Sequence, residues 1–363
     1  MLTRFLLTLK QHRFETIAIT VLCVGLAVAG LIEALRLHAL NTPIACLGNG
    51  YGYGGYVGPM MTGIGAPQTG TDPCLAASIA RYGLTGSIDF SLVGMLFLFA
   101  PFIAGITFGA PLVARELEQG TAPLSWSLAG SRRRWLLFRM LAMGGLLVVL
   151  LGAVAIASDV FFGTYSPTVD IHTSFENYLY RGVFDIFWGL AAFLGTVALG
   201  TVFGRTLPAV FLAVVVCFFA RAGWEPVMNG TVLPPLAVMQ SEIPQDPNLQ
   251  NGQMMYGQYA WTPSDLNVYY RTYLDGKPWD GDMNAWWNEH QPPMTVDPSS
   301  GLPVGVAVDT GTSPQIQGPY SVPFVIHGDR YWPIVALESG ILLLGSLLFG
   351  AVALIWVDRR RPY

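Results

Sequence analysis

The stretch Arg115-Glu116-Leu117-Glu118-Gln119-Gly120-Thr121, running on to Ser131-Arg132-Arg133-Arg134-Trp135, decides how this chain is read. It is polar and charged, and it lies between two apolar runs that are each long enough to cross a bilayer. A hydrocarbon core about 30 Å thick requires ~20 apolar residues per helix. A chain that served only as an anchor would have no use for such a connection. One that grips a soluble partner at the membrane surface would.

Composition agrees with that reading. Of the 363 residues only 12% are charged and 52% are hydrophobic, and the mean hydropathy is +0.47. Soluble domains carry about a quarter charged residues, so the chain reads as an integral membrane protein. A net charge of −4 and a pI near 5.7 give no footing for nucleic acid. The first apolar run, Thr16 to Leu35, exceeds the apolar core of a signal peptide, and no clear cleavage site follows it.

Six segments read as spans, at 16–36, 90–113, 135–158, 183–204, 208–224 and 333–357. The fifth is the shortest, and needs Arg221 to snorkel outward and Trp224 to sit at the interface. Only Gly204-Arg205-Thr206-Leu207 separates the fourth span from the fifth, which predicts a tight antiparallel hairpin. Basic residues then fall in alternate connections: Arg4, Lys10 and Arg13; Arg115, Arg132 to Arg134 and Arg139; Arg205; and Arg359 to Arg361. Lysine and arginine excess in short loops marks the cytoplasmic side. The other connections carry Asp72, Asp170, Glu176 and an acidic stretch from Glu225 to Asp329. The expected fold is an all-α polytopic membrane protein with six transmembrane helices, both termini cytoplasmic, and an extracytoplasmic domain between helices 5 and 6.

Residues 1–15 place Leu2, Phe5, Leu6 and Leu9 at helical spacing, as an amphipathic interfacial helix does. Residues 16–224 hold the first five spans with a cytoplasmic loop at 114–134, residues 225–331 the extracytoplasmic domain, and residues 332–363 the sixth span and a basic tail. The outer segment is rich in Pro, Asn, Asp and Trp, including Trp261, Trp279, Trp286 and Trp287. Asp275-Gly276 and Asp280-Gly281 are turn signals there, compatible with short strands or helices. Cys46 and Cys74 share the first outward loop with the glycine- and tyrosine-rich run Gly48 to Tyr56, and a disulfide between them is expected. Cys23 and Cys217 lie inside spans as apolar fillers. The histidines at 12, 38, 172, 290 and 327 are scattered and pair with no cysteine, so no metal site is expected.

No Gly-x-x-x-x-Gly-Lys-Ser/Thr run occurs, so the chain has no phosphate cradle of its own. Glu33, Asp89, Asp159, Asp185 and Glu338 all fall towards the outer ends of spans, whose middles are uncharged. Ion-coupled carriers bury carboxylates deeper than this. Arg181 and Asp185, four apart, are expected to pair. No grouping of His, Asp and a nucleophile suggests catalysis.

In the inner loop, residues 114–120 continue the second span and Gly120-Thr121-Ala122-Pro123 ends it. Leu124 to Ala129 reads as a short helix across the cytoplasmic surface, and Ser131 as the N-cap of the next span. Topology alone would explain the arginines; it does not account for Glu116 and Glu118.

These residues resemble the permease subunits of type-2 ABC exporters, the transmembrane subunits of ABC transporters. In that family an acidic residue and Gly-Thr after the second span precede a coupling helix, and a Ser-Arg pair opens the third. Glu116, Glu118, Gly120, Thr121, Ser131 and Arg132 stand at those positions. With Arg115 and Trp126 they form the surface expected to engage an ATPase. The chain departs from the family in having Gly130 where proline is frequent, and in its long outer segment. The resemblance implies a multi-pass protein of the cell membrane that moves an amphipathic or apolar cargo outward. It would pair with a second permease copy or homologue and be driven by two copies of a separate ATPase. ATP and Mg would be used by that partner, with no cofactor or enzymatic site in this chain. The cargo path would run between second and fifth spans, with Phe97, Phe102, Phe211 and Phe218 as its walls; ordinary helix packing is the other reading of these rings. A receptor or assembly subunit sensing a ligand with its outer domain, or a membrane-embedded enzyme, stay as alternatives.

Overall fold

The computed structural model describes residues 12–43, 73–122, 131–167, 169–239, 264–274, 276–290 and 319–359. Residues 1–11 of the interfacial helix expected at 1–15, Cys46, the side chain of Cys74 and hence the expected disulfide, the short helix expected at 124–129 with Trp126, and Trp261 lie outside the described residues. The helices are α1 (Arg13–Ala39), α2 (Pro73–Thr85), α3 (Ile88–Glu118), α4 (Arg132–Tyr165), α5 (Val183–Phe203), α6 (Thr206–Val227), α7 (Met283–His290) and α8 (Tyr331–Arg359). Six of them, α1, α3, α4, α5, α6 and α8, are long and apolar enough to cross a membrane. They are the six segments anticipated from hydropathy, most of them lengthened by a turn or more beyond the apolar run. The chain divides into two compact units, one of residues 1–223 with 329–363 and the other of residues 224–328.

The first unit is built around α5, which packs against α3, α8 and α4, while α1 packs on α4 and α3. Small residues make the tightest of these contacts. A Cβ added at Gly105 would stand 2.5 Å from the Gly189 carbonyl oxygen, and one at Gly109 would stand 2.6 Å from that of Phe193. Gly105 and Gly109 therefore bring α3 and α5 into backbone contact, the geometry by which membrane helices associate without a hydrophobic drive between them. Phe97, Phe108, Phe161 and Phe193 fill the interior with Leu112, Leu147 and Leu151. Phe97 reaches across to α1, where Gly30 leaves room for its ring.

Ser87 and Ser131, at opposite ends of this unit, cap α3 and α4 by accepting from the backbone N–H of Phe90 and Arg134, each at 3.3 Å. Arg81 of α2 donates to the carbonyls of Thr164 and Tyr165 and so closes the last turn of α4. A guanidinium is suited to this place, because the final carbonyls of a helix have no partner within it. α6 is different. Of its residues only Ala209 and Ala213 are buried.

The second unit corrects the all-α expectation. It holds an antiparallel four-stranded sheet in the order β1-β4-β2-β3, with β1 (Val238–Met239), β2 (Leu266–Leu274), β3 (Lys277–Pro278) and β4 (Tyr320–Ile326). Val268, Tyr269, Tyr270, Thr272 and Tyr273 supply β2 with the branched and aromatic side chains that suit a pleated surface. Tyr269 stacks on Phe324 across the strand pair with ring centroids 4.6 Å apart. Gly276, at φ +74°, turns β2 into β3. Outside the sheet, Trp286 and His290 of α7 stack at 4.0 Å. His327 meets Asp265 at 3.2 Å.

Candidate functional site

The charged end of α3 is where most of the sequence-predicted residues gather. Backbone hydrogen bonding carries α3 to Glu118, Gln119 is its C-cap, and Gly120 follows at φ +70°. That left-handed residue is cheap for glycine and costly for a side chain. The N–H of Gly120 then donates to Leu117 and that of Thr121 to Glu116, at 3.3 and 3.0 Å, which satisfies the last carbonyls of the helix. The chain is described again at Ser131, which opens α4 with Arg132 as its first helical residue.

Successive helical residues project about 100° apart around the axis, so Arg115, Glu116 and Glu118 leave α3 in three directions. Each finds a different helix. Arg115 pairs with Glu15 at the start of α1 at 3.2 Å. Glu116 pairs with Arg139 of α4 at 2.6 Å, with side chains 17% and 7% exposed. Glu118 accepts from both the N–H and the Oγ1 of Thr206, at 3.1 and 2.9 Å, at the first turn of α6. The same end also joins α4 to α8 through Arg133 and Asp358 at 2.7 Å.

The environment around Arg139 is the most enclosed part of this site. Its guanidinium lies 4.4 Å over the Trp135 ring and donates to the Leu112 carbonyl at 3.4 Å. His12 is buried beside it. Burial first, and the positive charge of Arg139 second, hold the His12 imidazole below its ordinary pKa; Glu15 and Glu116 act the other way, and Arg115 with Arg139. An imidazole in this setting favours its neutral form, with one nitrogen a donor and the other an acceptor.

Glu116 and Glu118 thus have partners within their own chain, which their polarity alone did not reveal. The expectation rested on charge at a membrane surface; the signal that would have found the pairing is the 100° spacing combined with Arg139 about two turns into α4. Gly120, Thr121, Ser131 and Arg132 flank the segment 123–130, and Trp126 falls within it, outside the described residues.

The four aromatic residues named for a path fall into two groups. Phe97 is fully buried against Phe161 and Phe162, with centroids at 5.5 and 6.4 Å. Phe102 packs on Trp188 at 5.3 Å. Phe211 and Phe218 of α6 are 69% and 64% exposed. The structure does not bring the two groups together within one chain.

At the opposite end, a cluster unforeseen in the sequence surrounds Arg181. The expected pair with Asp185 is replaced by one with Asp159, at 3.2 Å. Arg181 also donates to the carbonyls of Glu176, Ile171 and Ser174, at 3.1, 2.6 and 2.8 Å. Spacing by four brings side chains together only inside a helix, and α5 begins at Val183, after Gly182 at φ +67°. Arg181 therefore belongs to the loop it organises, not to the helix that holds Asp185. Glu338, fully buried, accepts from the Tyr178 hydroxyl at 3.2 Å. Among the described residues no group of His, Cys, Asp and Glu is arranged to hold a metal ion.

Residues 60–228 match the family described as ABC-2 membrane transporter related, a match that supports an ABC-2-type permease. The match begins ahead of α2 and ends just past α6, so it takes in the charged end of α3 and the whole of α4 and α5. No curated protein and no solved structure matches the chain. A permease of this family normally works with an ABC ATPase partner. The six helices long and apolar enough to cross a membrane are those of a multi-pass membrane protein.

Proposed function

We propose that this chain is the permease subunit of an ATP-driven exporter, and that the end of the bundle bearing Arg115 to Glu118 faces the cytoplasm. The observation that carries the reading is the construction of that end. α3 stops at Gly120 within the family-matched region, and its last charged residues take hold of α1, α4 and α6. A force applied to the loop that follows would reach three helices. Arg132 to Arg134, Arg139 and Arg205 lie at the same end, and lysine and arginine excess in short loops marks the cytoplasmic face. Both termini then lie inside, and residues 224–328 outside.

ATP and Mg belong to the partner in this reading. Two ATPase copies engage the loop through Trp126 and its neighbours, and a second permease copy or homologue completes the pathway. The exposed aromatic side chains of α6, Phe211 and Phe218, line it against a cargo with an apolar body, whereas Phe97 and Phe102 support the wall from within. Large apolar side chains on a helix that buries so little of itself suit an apolar surface, whether cargo, partner or lipid.

Purification from the native membrane tests this. The chain is expected to bring with it a subunit carrying a Gly-x-x-x-x-Gly-Lys-Ser/Thr loop, and the complex to hydrolyse MgATP in a vanadate-sensitive manner. A well-folded protein that copurifies with no such subunit would remove the reading.

A further inference from the structure

The first turn of a helix leaves backbone N–H groups without partners, and a side-chain oxygen just before the helix usually takes one of them. α6 cannot do this for itself. The residue before it is Arg205, whose guanidinium has donors and no acceptor. The acceptor comes instead from another helix: one carboxylate oxygen of Glu118 receives both the N–H and the hydroxyl of Thr206. α6 is otherwise lightly held. It buries only Ala209 and Ala213, and near its far end the Arg221 guanidinium stands 5.2 Å from the Tyr180 ring centroid. Its start is joined to α5 through Gly204, at φ +66°, a residue free to act as a swivel.

We infer that Glu118 is a positioning residue that fastens the start of α6 to the segment receiving the ATPase, so that movement of the 119–131 segment is delivered to α6 and not only to α3. The inference rests on the permease reading above. It gives the second glutamate of Arg115-Glu116-Leu117-Glu118 a task distinct from that of the first. Glu116 is tied to a buried arginine and holds α3 to α4 as a fixed pair. Glu118 is exposed and grips a single threonine, so its contact can shift with the helix it holds. The contact is specific in its chemistry, since it needs an acceptor at 118 and a hydroxyl at 206.

The test uses the complex with its copurified ATPase in lipid nanodiscs, with and without MgATP and orthovanadate as the trapping probe. Hydrogen–deuterium exchange is followed in peptides covering 115–135 and 204–214. In the wild type both segments are expected to respond to trapping. In Glu118→Ala the ATPase should still copurify and the 115–135 response should persist, while the 204–214 response falls at least about fivefold. Glu118→Gln keeps an acceptor oxygen and should retain most of that response. Thr206→Val removes only the hydroxyl and should give an intermediate loss, with Glu118→Ala/Thr206→Val no worse than Glu118→Ala alone. A purely structural cap would raise exchange at 204–214 in every state and leave the trapping-dependent difference intact, which would overturn the inference. So would loss of the ATPase from Glu118→Ala, since Glu118 would then be a partner contact. If Glu118→Ala fails to accumulate, a full trapping response in Thr206→Val overturns it. A wild-type complex with no ATPase or no trapping response anywhere would instead sink the permease reading itself.

Discussion

α3 and α6 look alike in the sequence and are used in opposite ways. Both are rich in phenylalanine, and their apolar windows have mean hydropathies of 2.1 and 2.0. Yet 56% of the α3 window is buried and only 11% of the α6 window. Hydropathy reports solubility in a bilayer and says nothing about which neighbour a helix takes. Small residues decide that. α3 presents Ala100, Ala104, Gly105 and Gly109 to its neighbours, so backbones approach closely and its rings are enclosed. In α6 the corresponding large side chains, Phe211, Val214, Phe218 and Phe219, stand clear of the chain's own core.

The largest expected effect follows from that contrast. Phe97→Ala should open a cavity between α1, α3 and α4 and cost roughly 3–5 kcal/mol, seen as a lower thermal midpoint in detergent. Phe218→Ala should change stability by less than about 0.5 kcal/mol. Equal losses at the two positions would mean that α6 is packed as tightly as α3, and the contrast would be gone.

A smaller effect is expected where α3 ends. Glu116→Ala leaves Arg139 facing a poorly solvated site without its carboxylate, and breaking an enclosed pair from one side is destabilising, here by about 2 kcal/mol given its partial exposure. Glu118→Ala should leave the thermal midpoint close to wild type, because its contact is exposed. Similar midpoints for Glu116→Ala and wild type would show that the pair at 2.6 Å contributes little.

The smallest effect concerns His12. Burial holds its pKa below the ordinary 6.5, so the folded protein prefers the neutral ring. Its stabilisation is therefore complete above pH 6.5 and is lost as pH falls below that value, when the unfolded chain gains a proton that the fold resists. His12→Gln should flatten the decline of thermal midpoint between pH 7 and pH 5. A decline of unchanged slope would assign it to other groups.

The spans, the stop at Gly120 and the cap at Ser131 were legible because each depends on local chemistry: apolar length, a left-handed residue, a side-chain acceptor. The partners of Glu116 and Glu118 were not, because they depend on which helices lie side by side. Arg181 was misjudged for a related reason, as a spacing of four has meaning only once the start of α5 is known. The sheet within 224–328 was visible only as turn signals, since β2 pairs chiefly with β4, which lies far along the chain. Closeness in sequence carries no information about that pairing.

Because Glu116 and Glu118 are engaged within the chain, reversing their charges would disturb the bundle as well as any partner, and position 126 is the cleaner probe. A photo-crosslinking amino acid in place of Trp126, in the native membrane, should yield an adduct with a subunit containing a Gly-x-x-x-x-Gly-Lys-Ser/Thr loop, while the same group in place of Leu344, an exposed residue of α8, should yield none. An ATPase adduct at 126 alone is the result this account predicts. No adduct at 126, or ATPase captured equally from both positions, would contradict it.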